Sequence, residues 1–311
     1  MKNRITQSIV ADHLPSAGAT ASRVGHGKGY GLCKTLLLAL ALAFGANSAI
    51  ADQGVSSNEI LIGTIQDLSG PLAGYGKAVR NGMQMRIDEI NEQGGVHGRK
   101  LRLVTEDSGY DPKRAVLAAQ KLVNQDKIFM MLAHIGTAQN NAAMPVLFEK
   151  NIVNFMPVTA AREMYEPFNR LKYAGFATYY DQMRSVVPFL IKDKKVSKVC
   201  VIHQDDEFGL EVVRGAEAAL KTLNMDFTEK TSFKRGATDF SSQVARMKSA
   251  GCEMVVLGTI IRETVGTIAE SRKNGFNPIF IGSNASYTDL IHKLGRSEEH
   301  TSELQSRVDI S

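Results

Sequence analysis

The sequence predicts an α/β protein built from parallel sheets in two successive series. Short apolar runs of strand length recur with amphipathic helical stretches between them, the spacing that gives right-handed βαβ units. Several runs are nearly continuous in apolar residues, as in strands covered on both faces. The pattern occupies residues 52–295 of 311, long for one domain and comfortable for two.

Taken in order, Ile60–Ile65 reads as a strand, Gly76–Asn91 as a helix and Leu101–Glu106 as the next strand. The loop from Asp67 to Gly76 is longer and richer in Gly and Pro than a plain connection needs. Asn91-Glu92-Gln93-Gly94-Gly95 supplies a glycine helix stop. Asp111-Pro112 gives an N-cap with Pro at the first helical position, opening a helix over Lys113–Asn124. The strand Ile128–Ala133, the helix Gln139–Phe148 and the strand Ile152–Phe155 follow. A segment rich in Gly and aromatics, Tyr173–Asp181, then separates the two series, giving lobes of 52–176 and 177–295. The second series predicts helices over Gln182–Lys192, Gly209–Leu223, Ser241–Ser249, Glu263–Asn274 and Tyr287–Leu294. Its strands are Lys198–His203, Met225–Phe233, Met254–Leu257 and Ile279–Ile281, and Thr238-Asp239 is expected to cap the helix at Ser241.

Both ends of the chain read differently. Lys28 and Lys34 precede an apolar run, Thr35–Phe44, and then the triplet Ala49-Ile50-Ala51. That is the layout of a cleaved secretory signal peptide over residues 1–51, and the run is too short to span a bilayer core. Cys33 lies ahead of the run, which argues against a lipid-anchored cysteine. At the other end, RSEEHTSELQS (296–306) back-translates to a common ligation adapter of short-read sequencing libraries, so 296–311 is read as an artefactual tail and the fold as incomplete at the C-terminus.

Composition excludes several classes. Residues 1–51 carry five Lys or Arg and one acid, and residues 296–311 two Arg and four acids, so the 37 bases and 32 acids of the whole chain fall to 30 and 27. With no basic cluster interleaved with aromatics, a nucleic-acid partner is not expected. Gly74-Tyr75-Gly76 lacks the third glycine and downstream acid of a dinucleotide fingerprint, which counts against a secreted oxidoreductase. P-loop, G-x-S-x-G, C-x-x-C and H-E-x-x-H motifs are missing. His134 and His203 fall at strand ends without a paired nucleophile or metal partner and read as structural. Cys200 and Cys252 sit in or beside strands of one lobe; export permits a disulfide, and free buried thiols are the plainer reading.

In open α/β sheets ligands bind beyond the carboxyl ends of strands, at helix N-termini. The loops at those ends are Ser69–Gly76, His134–Ala138, Pro157–Ala160, Asp205–Phe208, Gly258–Ile260 and Gly282–Asn284. Backbone N–H groups at Gly136–Ala138, with the Thr137 hydroxyl, can hold a carboxylate, or Thr137 is simply an N-cap. Tyr75 is either an aromatic wall or a packing plug. Asp181 either meets a ligand ammonium or caps a helix.

Several stretches together resemble the substrate-binding proteins of branched-chain amino acid ABC transporters. These are IGTIQDLSGPLAGYGK, GMQMRIDEINEQGGVHGRKL, EDSGYDPKRAVLAAQKLV, IHQDDEFGLEVV and DFSSQVARMKSAGCEMVVLG. The resemblance implies the type I periplasmic-binding fold, two Rossmann-like lobes joined by three crossings that close over a ligand. It implies a monomeric periplasmic protein with no cofactor and no catalysis, which hands a small carboxylate or amino acid to an inner-membrane permease. A sensory module feeding a receptor is the alternative use of the fold. Carried over by position, the ligand residues are Tyr75, Gly136, Thr137, Thr159 and Ala160 in lobe 1 and Tyr180, Asp181, Phe208, Ile260 and Asn284 in lobe 2. Amino-acid binders of this type usually hold a Glu where Asn284 stands, to neutralise the ligand ammonium. Tyrosines of their second lobe are Phe208 and Ile260 here, and their first-lobe disulfide would join Tyr110 and Gly136, so it is absent. These departures make a branched-chain amino acid doubtful, and a carboxylate without an ammonium, such as an aromatic or aliphatic acid, a serious candidate. Because the family's chain returns to lobe 1 after lobe 2, the 311-residue chain is expected to bind poorly or misfold.

Overall fold

The computed structural model describes residues 53–289 and 291–293. The leader and the tail discussed above lie outside the described residues.

A first sheet is built from β1 (Glu59–Gln66), β2 (Lys100–Asp107), β3 (Met130–Leu132), β4 (Val153–Phe155) and β5 (Lys172–Tyr173), in the order β2-β1-β3-β4-β5. A second contains β6 (Val199–Gln204), β7 (Glu229–Phe233), β8 (Met254–Gly258) and β9 (Ile279–Gly282), in the order β7-β6-β8-β9. Every strand pairing in both is parallel. The connecting helices are α1 (Ala73–Glu92), α2 (Pro112–Asn124), α3 (Thr137–Glu149), α4 (Tyr179–Lys194), α5 (Glu207–Thr222), α6 (Ser241–Ser249) and α7 (Ile261–Lys273).

The second sheet shows why its strands are apolar runs. Successive side chains of a strand point to opposite faces. Cys200 and Ile202 of β6 pack with Phe240, Val244 and Met247 on one side. Val199 and Val201 pack with Val187, Val212 and Ala216 on the other. Beneath the first sheet, Ala115, Ala119 and Leu122 of α2 meet Ala143 and Leu147 of α3 around Ile65 and Met131. The apolar cluster of the second sheet continues onto Leu72, Tyr110, Ile135, Ala160 and Ala161, so one core reaches from the second sheet to the strand ends of the first.

Local punctuation follows the sequence at several points. Asp111 accepts from the Arg114 amide, with Pro112 at the helix start. Gly94 and Gly95 both have positive φ, and the Gly95 amide donates to the Ile90 carbonyl to end α1.

Other expectations need correction. Cys200 and Cys252 form a disulfide rather than free thiols, with Cα atoms 5.8 Å apart. The reason is the pairing of β6 with β8, which sets Cys200 opposite Val255 and so brings the approach to β8 alongside. The two-residue β5 is too short to leave a periodic signal. The N-cap of α6 is Phe240, without a side-chain cap; Asp239, one residue earlier, accepts from the Ser241 amide, and Thr238 takes no part. The helix expected from Tyr287 is preceded by a 3-10 turn over Asn284–Ser286, and Asp289 and Ile291–Lys293 within its span are helical. The remainder of that helix lies partly outside the described residues. The strand expected from Met225 starts only at Glu229; the Met225 amide instead donates to the Leu220 carbonyl at the end of α5.

Candidate functional site

The carboxyl ends of both sheets face one cavity of about 50 Å³. Its walls include Leu72, Tyr75, Tyr110, Ile135, Gly136, Thr137, Val158, Thr159, Ala160, Phe176, Tyr179, Phe208, Ile260, Asn284 and Ala285. That volume is above the roughly 10–15 Å³ a cavity needs to admit a water.

Two aspartates shape the loop that leads through Leu72 into α1, whose first turn carries Tyr75. Asp67 accepts from the amides of Gly70 and Leu72, each at 2.6 Å. Asp107 accepts from the Leu68 amide at 2.9 Å and the Ser69 hydroxyl at 2.6 Å. Burial works to raise the Asp107 pKa, but these donors, the Gly109 amide and Arg114 outweigh it and hold the carboxyl below its usual range. A Cβ at Gly76 would stand 2.1 Å from the Asp67 carbonyl, so only glycine lets α1 start this close to the loop.

The next wall is the turn from β3 into α3. Gly136 has φ 96°, and a Cβ there would lie 2.1 Å from Gln139 Oε1. Asn140 pins the turn, donating to the carbonyls of His134 (2.8 Å) and Gly136 (2.7 Å). The Thr137 and Thr159 hydroxyls meet at 2.6 Å, buried. Since the N-cap is Gly136, Thr137 is the first helical residue and not the cap. One hydroxyl donates to the other, and the acceptor's own proton remains for a third group. With the unsatisfied first amides of α3 and their positive partial charge, this end of the cavity suits an anion.

Tyr110 and Tyr179 are wall residues that the sequence reading did not choose. Tyr110 is 3% exposed and sits at φ 62°, directly after Gly109 at φ 56°. Gln139 holds its carbonyl at 2.6 Å, and the Arg235 guanidinium lies 5.3 Å from its ring centre. Tyr179 meets Phe208 edge-on, with ring centres 5.0 Å apart. Burial pushes both phenols above their ordinary range, with the Asp206 carboxylate adding to the effect at Tyr110, so both stay neutral.

Of the residues named from sequence, Tyr75, Gly136, Thr137, Thr159, Ala160, Phe208, Ile260 and Asn284 line the cavity together. Tyr180 and Asp181 stand outside that lining. The Tyr180 ring lies under the Arg162 guanidinium at 4.0 Å. Asp181 accepts from the Thr178 hydroxyl at 2.7 Å and pairs with Arg184 at 3.3 Å, closing the first turn of α4. Consecutive helical residues are about 100° apart around the axis, so a shift of one position decides which tyrosine faces the cavity. None of the described residues lining it carries a formal charge.

The two histidines are elsewhere. His134 is fully buried with neither ring nitrogen partnered, and burial pushes its pKa down to about 3. His203 Nδ1 lies 3.0 Å from the Gln204 carbonyl. No group of three or more His, Cys, Asp or Glu among the described residues is placed to hold a metal. No helix among them is long and apolar enough to cross a membrane.

The family profile described as periplasmic binding protein matches residues 59–301. The chain is 27% identical over 261 residues to the Leu/Ile/Val-binding protein of Escherichia coli K12, covering 84% of this chain and 69% of that one. Among solved structures it is similar to a fatty acid ABC transporter substrate-binding protein from Thermomonospora curvata. That match has TM-score 0.73 and 22% identity, and spans 80% of this chain and 63% of that one. It is also similar to an R. palustris ABC transporter solute-binding protein in complex with 4-hydroxybenzoate, at TM-score 0.67 and 20% identity over 77% of this chain and 66% of that one. Parallel sheets in two groups, a cavity at their carboxyl ends and a profile match over most of its length place this chain in the periplasmic binding protein family, whose members bind solutes rather than transform them.

Proposed function

We propose that this protein captures a small carboxylate without an ammonium in the periplasm and hands it to an inner-membrane ABC permease. The lobes, 52–176 and 177–295 in this reading, close over the ligand, whose binding energy goes to the closed state. The observation that carries the proposal is the asymmetry of the cavity. One end offers the Thr137 and Thr159 hydroxyls and the start of α3, while the described residues lining the cavity include no acid to neutralise an ammonium. Asp181, the one carboxylate named from sequence, is engaged by Thr178 and Arg184. Relatives whose names mention fatty acids and 4-hydroxybenzoate are in keeping with such a ligand, and those named for Leu, Ile and Val supply the competing class.

A thermal-shift screen of aliphatic and aromatic carboxylates against amino acids, followed by calorimetry, tests the reading. Carboxylates are expected to stabilise the protein. Thr137→Ala should weaken them at least ten-fold, because a hydrogen bond to a charged group contributes about 1.5–3 kcal/mol. Asp181→Ala should leave affinity within about two-fold, well below what loss of such a bond would produce. A strong loss at Asp181→Ala with an amino acid bound would replace this ligand class by a zwitterion.

A further inference from the structure

Asn284 enters the cavity wall from the second sheet, and a residue outside the wall sets how its amide is turned. Its backbone N–H donates to Gln182 Oε1 of α4 at 2.9 Å. Gln182 Nε2 donates to the Ala177 carbonyl at 2.7 Å and to Asn284 Oδ1 at 3.1 Å. A backbone N–H can only donate and a backbone carbonyl can only accept. The two main-chain bonds therefore settle which end of the Gln182 amide is oxygen and which is nitrogen. That settles Asn284 in turn: the atom facing Gln182 Nε2 must accept, so it is Oδ1. Nδ2, with two N–H donors, is the end of Asn284 that Gln182 does not engage.

The consequence is chemical. Asn284 and Thr137 line the same cavity, so a ligand that spans it from a carboxylate at Thr137 meets Asn284. A donor there pairs with a neutral acceptor and opposes an ammonium, which brings only donors of its own. We infer that Asn284, turned by the positioning residue Gln182, selects carboxylates bearing a neutral hydrogen-bond acceptor beside the carboxyl group, 2-oxo acids above all, over the 2-amino acids of the same shape. The inference rests on the carboxylate reading given above and adds to it the second polar group of the ligand.

Matched pairs test it: 4-methyl-2-oxopentanoate against L-leucine, and phenylpyruvate against L-phenylalanine, titrated by calorimetry into the protein. The oxo acid of at least one pair should bind ten-fold or more tightly than its amino acid. Gln182→Glu supplies an acceptor for the Asn284 backbone N–H but no donor for Oδ1, so the Asn284 amide should turn over and present oxygen to the cavity. The oxo-to-amino ratio should then fall at least ten-fold. Gln182→Met, which removes the orientation without adding charge, should narrow the ratio by a smaller factor. Unliganded melting temperatures near wild type would show that both variants fold, and a role for Gln182 in stability alone would leave the ratio unmoved. Amino acids binding as well as their oxo partners, or a ratio indifferent to Gln182→Glu, would overturn the inference while leaving carboxylate capture standing. If none of the four acids binds and no carboxylate of the wider screen does, both readings fall.

Discussion

At the scale of single residues, His134 is a buried neutral imidazole with no partner for either nitrogen. The unfolded chain takes up this proton near pH 6.5 and the folded chain only near 3. Between those values the unfolded state binds more protons, so stability falls as pH falls. From pH 7 to pH 5 the loss from this one group is about 2 kcal/mol. Buried Glu263 acts with the opposite sign, because burial raises its pKa and the folded state then binds the extra proton. Urea unfolding of wild type and His134→Leu at both pH values separates the two, and the variant should lack the imidazole's share of the slope. The sequence placed His134 at a strand end and read it as structural. It could not show that both nitrogens go unpartnered, since that depends on every element packed around the ring.

At the scale of elements, the Cys200–Cys252 bond ties β6 to the approach of β8 across a separation of 52 residues. Loop-closure entropy for such a span amounts to about 4 kcal/mol, lost on reduction. Dithiothreitol should lower the melting temperature of wild type and leave Cys200→Ala/Cys252→Ala unmoved. The helices were legible because their ends are written locally, in Asp111-Pro112 and in Gly94-Gly95. The long strands were legible as apolar runs. Faces of helices were less so. Tyr180 and Asp181 were carried over by position, whereas Tyr179 is the residue that meets Phe208 in the cavity wall. The N-cap of α4, Thr178, sets that phase; its hydroxyl accepts from the Asp181 amide and donates to the Asp181 carboxylate.

At the scale of the whole molecule, Arg162 and Glu211 join the segment after β4 to α5 of the second sheet. The guanidinium makes two bonds to the carboxylate, at 2.9 and 2.8 Å, and the Glu211 side chain is only 1% exposed. Burial raises the Glu211 pKa, but Arg162 and Arg214 overcome it and keep the carboxyl below its ordinary value. Removing one partner leaves the other's charge uncompensated. Glu211→Ala should cost about 3 kcal/mol in urea unfolding, the low end for a buried pair because Arg162 is partly exposed. Ligand affinity should fall with it if the pair contributes to closure, and unchanged affinity would confine its role to stability.

The sequence by itself determined the α/β class and the order of nearly every strand and helix. Those properties follow from neighbours along the chain: the period of apolar residues, the caps, and glycines at turns such as Gly136 that no other residue can take. Tertiary structure alone decided the disulfide, the turn of Tyr110 into the cavity at φ 62°, and the orientation of the Asn284 amide by a residue 102 positions away. Each depends on two distant segments arriving at the same place, and neither segment records the other in its own spacing.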